Sequence, residues 1–311
     1  MKILVTGASG FLGTALCAKL EECGHNVTRL SSKNCDLTKD TSLLKFNEDK
    51  YDQIFHLAAW TQAGDFYLTH LGEQWVINQQ INTNVLSWWK TFQPQAKMIA
   101  IGTCCAYNPS LELKEENYLE GGPDFGLFTY AMTKRMVYVG LKALQKQFGM
   151  KYLYLIPSTI YGPGYHTDAR QMHFIFDLIR KIMRGKLFGA QVSLWGDGTQ
   201  KRELIYRDDF IDALLKLNEK YDNEIVNIGS GKEFTMRQYA QLVCDKVGYD
   251  FNKIVFDTSK FVGVLSRQLN IEKLKRLVPD WHQTPLDEGL SKTIDWFNVE
   301  KDKIFTGEWK D

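Results

Sequence analysis

Lys2-Ile3-Leu4-Val5-Thr6-Gly7-Ala8-Ser9-Gly10-Phe11-Leu12-Gly13 is the stretch on which the reading of the fold turns. An apolar run long enough for one buried strand meets three glycines spaced Gly-x-x-Gly-x-x-Gly, and residues 14–23 continue as a helix. Glycine at these places permits a tight turn, close approach of backbone to a pyrophosphate, and packing of the helix on the strand. The start of the helix then offers free N–H groups and a positive partial charge to an anion. Strand, glycine turn and helix in this order predict a parallel α/β sheet that binds a dinucleotide. Gly7, Ser9, Gly10, Phe11, Leu12 and Gly13 are the expected phosphate-side contacts.

Asn26-Val27-Thr28-Arg29-Leu30 reads as the second strand and ends in Ser31-Ser32-Lys33, where an acidic residue would hold the ribose hydroxyls of NAD(H). That acid is missing. Hydroxyls beside an ammonium suit a 2′-phosphate, which favours NADP(H), with NAD(H) as the alternative. Residues 51–59 form a further strand running into Leu57-Ala58-Ala59, small residues beside the cofactor. Residues 71–92 have the periodicity of a long helix, and Trp88 and Trp89 on it fit core or a subunit contact.

Lys97-Met98-Ile99-Ala100-Ile101 predicts a strand buried on both faces, with Gly102 turning the chain at its carboxyl end, where ligand sites of open α/β sheets form. Thr103, Cys104 and Cys105 stand there. On the periodic segment 130–147, the i,i+4 spacing of Tyr130 and Lys134 puts a phenol and an ammonium on one helical face. A free phenol, with a pKa of about 10, is a poor base at neutral pH, and an adjacent ammonium favours its phenolate. Thr103, Tyr130 and Lys134 are therefore the expected proton-transfer group, with Thr103 also holding the substrate oxygen.

Lys+Arg 38 against Asp+Glu 37 leaves a net charge of +1, so nothing global favours nucleic acid or an anionic membrane. No apolar run reaches the roughly 18 residues of a membrane span, and Met1 to Val5 runs at once into the glycine turn, unlike a secretory leader. The six cysteines have neither a short-chain disulfide framework nor paired CxxC spacing; reduced thiols, no metal and a cytoplasmic location are expected. From about Gly164 shorter elements replace the parallel pattern. This predicts a dinucleotide-binding domain over residues 1–163 and a smaller substrate lobe over 164–311, with segments near 203–229 returning to the first. Residues 191–198 and 202–206 read as two strands around a turn, Asp208-Asp209 as a helix cap, and 301–311 as a solvated tail.

Taken together, Gly7/Gly10/Gly13, His56-Leu57-Ala58-Ala59, Thr103, Tyr130/Lys134, Tyr161-Gly162-Pro163, Trp195-Gly196-Asp197-Gly198, Arg202, Asp208-Asp209 and Asn227-Ile228-Gly229-Ser230-Gly231 resemble an extended short-chain dehydrogenase/reductase. The likeness is to the NAD-dependent epimerase/dehydratase type, whose members act on nucleotide sugars. It implies a Rossmann-type doubly wound parallel sheet with a smaller carboxyl-terminal α/β lobe. It also implies hydride exchange between a nicotinamide and C4 of a sugar, and a homodimer built on the helices of 71–92 and 130–147. The same likeness puts Asp36-Leu37 by the adenine, Pro157 on the cofactor, and His56 in a structural role. Thr159, Trp195 and Arg202 fall on the substrate, with the planar fork of Arg202 on a diphosphate.

Cys105 divides the subfamilies. Members that expel water carry an Asp-Glu pair where this chain has Cys104-Cys105, so elimination is not expected. Gly102-Thr103-Cys104-Cys105-Ala106-Tyr107 is similar instead to the GDP-L-fucose synthases, in which a cysteine matching Cys105 and a helix-borne histidine matching His173 exchange a carbon-bound proton. A thiol of pKa about 8.5 and an imidazole of about 6.5 on opposite faces of a ring suit that exchange; the bland alternative is a core filler and a polar helix residue. Trp60-Thr61-Gln62-Ala63-Gly64, Thr159-Ile160 and Tyr165-His166-Thr167-Asp168 depart from that subfamily and imply a differently shaped sugar pocket. The expectation is an NADP(H)-dependent enzyme reducing C4 of a GDP-linked keto sugar, with C3 or C5 epimerisation. Its rivals are an NAD-retaining 4-dehydrogenase or 4-epimerase and a non-catalytic nucleotide-binding protein.

Overall fold

The computed structural model describes residues 1–64, 66–168, 170–260 and 262–305. In chain order the elements are β1 (Lys2–Thr6), α1 (Phe11–Glu22), β2 (Asn26–Leu30), β3 (Gln53–His56), α2 (Phe66–Thr69), α3 (Leu71–Phe92) and β4 (Lys97–Ile101). There follow α4 (Phe128–Phe148), β5 (Tyr152–Pro157), β6 (Thr159–Tyr161), α5 (Phe174–Phe188), β7 (Ser193–Trp195), β8 (Lys201–Tyr206) and α6 (Arg207–Lys220). The chain continues through β9 (Glu224–Ile228), β10 (Glu233–Thr235), α7 (Met236–Val247), β11 (Val255–Asp257), α8 (Glu272–Leu277), α9 (Leu286–Val299) and α10 (Lys301–Ile304).

Parallel strands form the main sheet in the order β2-β1-β3-β4-β5-β9. Every residue of β4 and β5 is buried, as helices on both faces of a parallel sheet require. From β1 the chain steps to β2 on one side and returns to β3 on the other. The order therefore reverses at β1, and the crevice at that reversal opens onto Gly7 and Leu57. Trp88 and Trp89 of α3 lie in the core, their indole N–H groups donating to Asn47 Oδ1 and Ala96 O. α6 and β9 pack into this first core through Phe210, Leu214, Leu217 and Val226.

A second hydrophobic cluster gathers Ile175, Ile179 and Ile182 of α5 with Tyr239 and Val243 of α7 and Leu290 and Phe297 of α9. The strands beside it correct the sequence reading. β7 pairs with β11, whereas β8 lies between β10 and β6, so the two segments around the Gly196–Gly198 turn belong to separate sheets. Long-range pairing overrides the local hairpin pattern. Tyr206 is the cap of α6; Asp208 and Asp209 stand in its first turn, and Asp209 accepts from Thr284 N and Oγ1. His173 precedes α5 as its cap residue instead of sitting on the helix. The expected tail begins with α10, whose Ile304 is fully buried, while residues 306–311 lie outside the described residues. All six cysteines are free. Among the described residues no helix is long and apolar enough to cross a membrane, and no acidic, histidine and cysteine cluster could hold a metal.

Candidate active site

The glycine turn at β1 is shaped by contacts that a side chain would break. Gly7 has φ +68°, and a Cβ there would stand 2.8 Å from Ala58 N; a Cβ at Gly13 would stand 2.2 Å from Gly7 O. These gaps let α1 pack against the end of β1 and leave the backbone bare for a pyrophosphate, so the residues present fit a dinucleotide. A cleft of about 480 Å³ opens there, walled by the expected Gly7, Ser9, Gly10, Ser31, Ser32, Asp36, Leu37, Leu57, Ala58 and Ala59. Asn84 donates to Leu37 O at 3.0 Å, and Asp36 accepts from Thr38 N and Oγ1, which fixes the backbone of this end of the cleft. Among the described residues, Phe11, Leu12, Gly13, Lys33, Tyr130, Lys134 and Pro157, also expected on the cofactor, lie off this wall. Lys33 is exposed, and Phe11 turns its ring onto Tyr165 and Phe176. Trp60, Thr61, Gln62, Phe66 and Arg170 line it without having been expected.

Beyond the carboxyl end of β4, Gly102 is obliged by Tyr154, whose ring would lie 2.8 Å from a Cβ. Thr103 then caps a short 3-10 turn, its Oγ1 accepting from Cys105 N at 3.2 Å. Lys134 reaches back from α4 to donate to Ile101 O at 3.0 Å, and its ammonium stands 6.0 Å from the centre of the Tyr130 ring. Tyr154 hydroxyl donates to Lys134 O and pairs with Tyr118 hydroxyl, bracing this turn of α4. Lys134 is thus tied to the strand end that leads into Thr103, and Tyr130 stands one turn before it on α4. Their protonation differs from the expectation. Burial holds Tyr130 well above its ordinary pKa, with Tyr67 and Cys105 adding to the rise, and lowers Lys134 to about 8. Desolvation outweighs the ammonium, so the phenol of this structure is neutral.

Cys105 has a partner that nothing in the motif announces. Arg267 Nη1 donates to its Sγ at 2.9 Å while Nη2 pairs with Asp124 at 3.2 Å. A hydrogen bond from Cys104, then the charge of Arg267, holds the Cys105 thiol below its ordinary value, and Cys104 is correspondingly raised. Arg267 comes from an irregular segment pinned by two glutamates. Glu203 accepts from Leu269 N and Gly231 N, each at 2.7 Å, and Glu233 accepts from Arg267 N and Ser266 Oγ. Irregular backbone has no periodicity to mark its residues, which is why sequence reading missed Arg267; Glu203 lies on β8, and its role follows only from the distant backbone N–H groups that the fold brings to it.

Arg202 occupies β8, but its guanidinium donates to the carbonyls of Lys201, Val264 and Val262 at 2.7–2.9 Å. It lies close enough to Arg267 for the two charges to repel. His173 is exposed beside Tyr165, ring centroids 6.3 Å apart. Thr159 is half-buried at the start of β6, and Trp195 ends β7 at 44% exposure. His56 is buried and neutral, engaged on both ring nitrogens by Thr6 Oγ1 and Asn82 Oδ1. The divergent segment after Ala59 forms an aromatic wall: Trp60 packs on Phe66 at 4.8 Å, and Tyr67 on Tyr130 at 5.3 Å.

Comparison with known proteins agrees with this geometry. The chain is 29% identical over 306 residues to GDP-L-fucose synthase 1 of Arabidopsis thaliana, covering 95% of this chain and 93% of that one. It is 30% identical over 312 residues to the GDP-L-fucose synthase of Sinorhizobium fredii, covering 95% of each. Its fold matches that of a GDP-6-OMe-4-keto-L-xylo-heptose reductase from C. jejuni, with a TM-score of 0.88 at 22% identity over 96% of this chain and 98% of that chain. A gdp-l-fucose synthetase from Naegleria fowleri bound to NADP gives 0.86 at 24% identity, over 97% and 93%. Residues 3–229 match the profile of the NAD dependent epimerase/dehydratase family, and the chain belongs to that family.

Proposed function

We propose that this chain is an NADP(H)-dependent enzyme that reduces C4 of a GDP-linked keto sugar, with Cys105 moving a carbon-bound proton next to the keto group. The observation that carries the reading is the neutral, half-buried Tyr130 on the same helix as Lys134, whose ammonium is tied to the strand end bearing Thr103. A bound NADPH supplies the hydride. The Tyr130 hydroxyl gives its proton to the carbonyl oxygen as that oxygen becomes an alcohol, and the Lys134 ammonium stabilises the phenolate left behind. Thr103 donates to the same oxygen and holds it in line. The Cys105 thiolate takes the proton from the carbon beside the ketone, leaving an enolate, and His173 on the other face delivers one proton to that carbon, which inverts the centre.

Arg202 and Arg267 give this corner of the lobe a positive potential that favours a diphosphate. Relatives named for GDP sugars support the base, and the half-buried Ser31 and exposed Ser32 on the cleft wall support a 2′-phosphate. Two separate hydrophobic clusters support a division near residues 163 and 164, with α6, β9 and the segment 269–281 returning to the first and Tyr161 packing in the second. Six free thiols support a cytoplasmic location. Exposed Trp75 and Val76 on α3 with Met136 and Val139 on α4 support a homodimer through these helices.

The test is incubation with a GDP-4-keto-6-deoxy sugar in deuterated water, with and without NADPH. Deuterium should enter the sugar in either case, and NADPH should be oxidised in step with alcohol formation. Absence of NADPH oxidation removes the reductase, and absence of deuterium removes the epimerase.

A further inference from the structure

Among the described residues that wall the dinucleotide cleft, Arg170 is the one cation and Asp36 the one carboxylate. Lys33, at the end of β2, lies off the wall. A dinucleotide brings at least two negative charges, so the position of Arg170 decides much of the local field. It comes from the segment between β6 and α5, and two contacts hold that segment across the cleft. Tyr165 sets its ring edge-on to Phe11 at 5.2 Å and stacks on Phe176 at 3.8 Å, which anchors one end over the amino terminus of α1. Gln171 sits on the opposite rim, so close to Gly64 that a Cβ there would lie 2.1 Å from its Oε1. Arg170 lies between these two anchors. Its Nε donates to both oxygens of Asp168 at 2.8 and 2.9 Å, and Asp168 also stands 3.3 Å from His166 Nδ1. Both partners of the ion pair are about half exposed, so it is screened and costs little to open.

We propose that Arg170 is a pyrophosphate-binding residue of the dinucleotide site, held in reserve by Asp168, and that it exchanges this carboxylate for the cofactor's anion when the cleft fills. The planar fork suits two phosphate oxygens, and the free N–H groups at the start of α1 face the same anion from the other side. Asp168 competes for the guanidinium. It therefore acts as an internal brake on affinity.

The assignment rests on the cleft being a dinucleotide site, which the wild-type chain tests by itself: failure to bind either NADPH or NADH removes that reading and this one with it. With binding established, NADPH and NADH are titrated by fluorescence against wild type, Arg170→Gln, Asp168→Asn and the double variant. Arg170→Gln should weaken both cofactors by about tenfold, the scale of a charge-assisted contact. Asp168→Asn should tighten both by about threefold, and the double variant should match Arg170→Gln alone. Loss of NADPH affinity alone would move Arg170 to the 2′-phosphate and overturn the pyrophosphate assignment. Unchanged binding in Arg170→Gln, or weaker binding in Asp168→Asn, would overturn the exchange. Arg170 is exposed, and matching thermal unfolding of the unliganded variants separates these effects from misfolding.

Discussion

At Tyr130 two effects oppose each other, and burial prevails. The expected ammonium is in place on the same helix, yet the phenol keeps its proton because its surroundings disfavour charge. That suits the proposed reduction, in which Tyr130 begins as the acid. Tyr130→Phe should lower kcat by roughly 10²- to 10⁴-fold, the usual worth of a positioned acid, while the NADPH dissociation constant stays within about twofold. Cys105 is the opposite case, a thiol stabilised as its anion by Cys104 and then by Arg267. Its alkylation by iodoacetamide should titrate with a midpoint below the ordinary thiol value of about 8.5. Arg267→Gln should raise that midpoint by about one unit or more; an unmoved midpoint would detach Arg267 from the thiol.

Among the elements, the irregular segment 265–270 depends on Glu203 of β8, whose buried carboxyl is raised from 4.5 to about 7 by desolvation against hydrogen bonds from Leu269 and Gly231. The folded chain thus binds more protons at this site than the unfolded chain between these two values. Its stabilising contribution is whole below pH 4.5 and is lost as the pH rises through 7, by about 3 kcal/mol in all. Urea midpoints of wild type and Glu203→Gln, compared from pH 4.5 to pH 8, should show a difference that varies with pH in this sense. The same variant frees the backbone that carries Arg267, so its Cys105 alkylation midpoint should rise as in Arg267→Gln. A pH-independent difference would show that Glu203 does not titrate in this range.

For the whole molecule, the outward faces of α3 and α4 carry apolar side chains that the single chain leaves in water: Val76 is 52% exposed, and Met136 and Val139 are each 41% exposed. A pair of chains meeting there would bury them. Val139→Asp should convert the dimer to monomer in light scattering, with little change in the circular dichroism of the chain. A wild-type monomer at tens of micromolar would remove the interface.

Much of the framework was readable because it is local. β1, β2, β4 and α3 begin and end where the apolar runs and helical period put them, since strand burial, helical spacing and glycine turns act over a few residues. Tyr130, Lys134 and Thr103 were readable for the same reason, each lying at a recognisable end or face of such an element. Folding alone decided that Arg267 meets Cys105 across 162 residues, that β7 pairs with β11, and that Arg170 lines the same cleft as the glycine turn. Folding also decided that Tyr130 stays protonated. Burial and long-range pairing sum contributions from the entire molecule, and no short stretch of residues carries that sum.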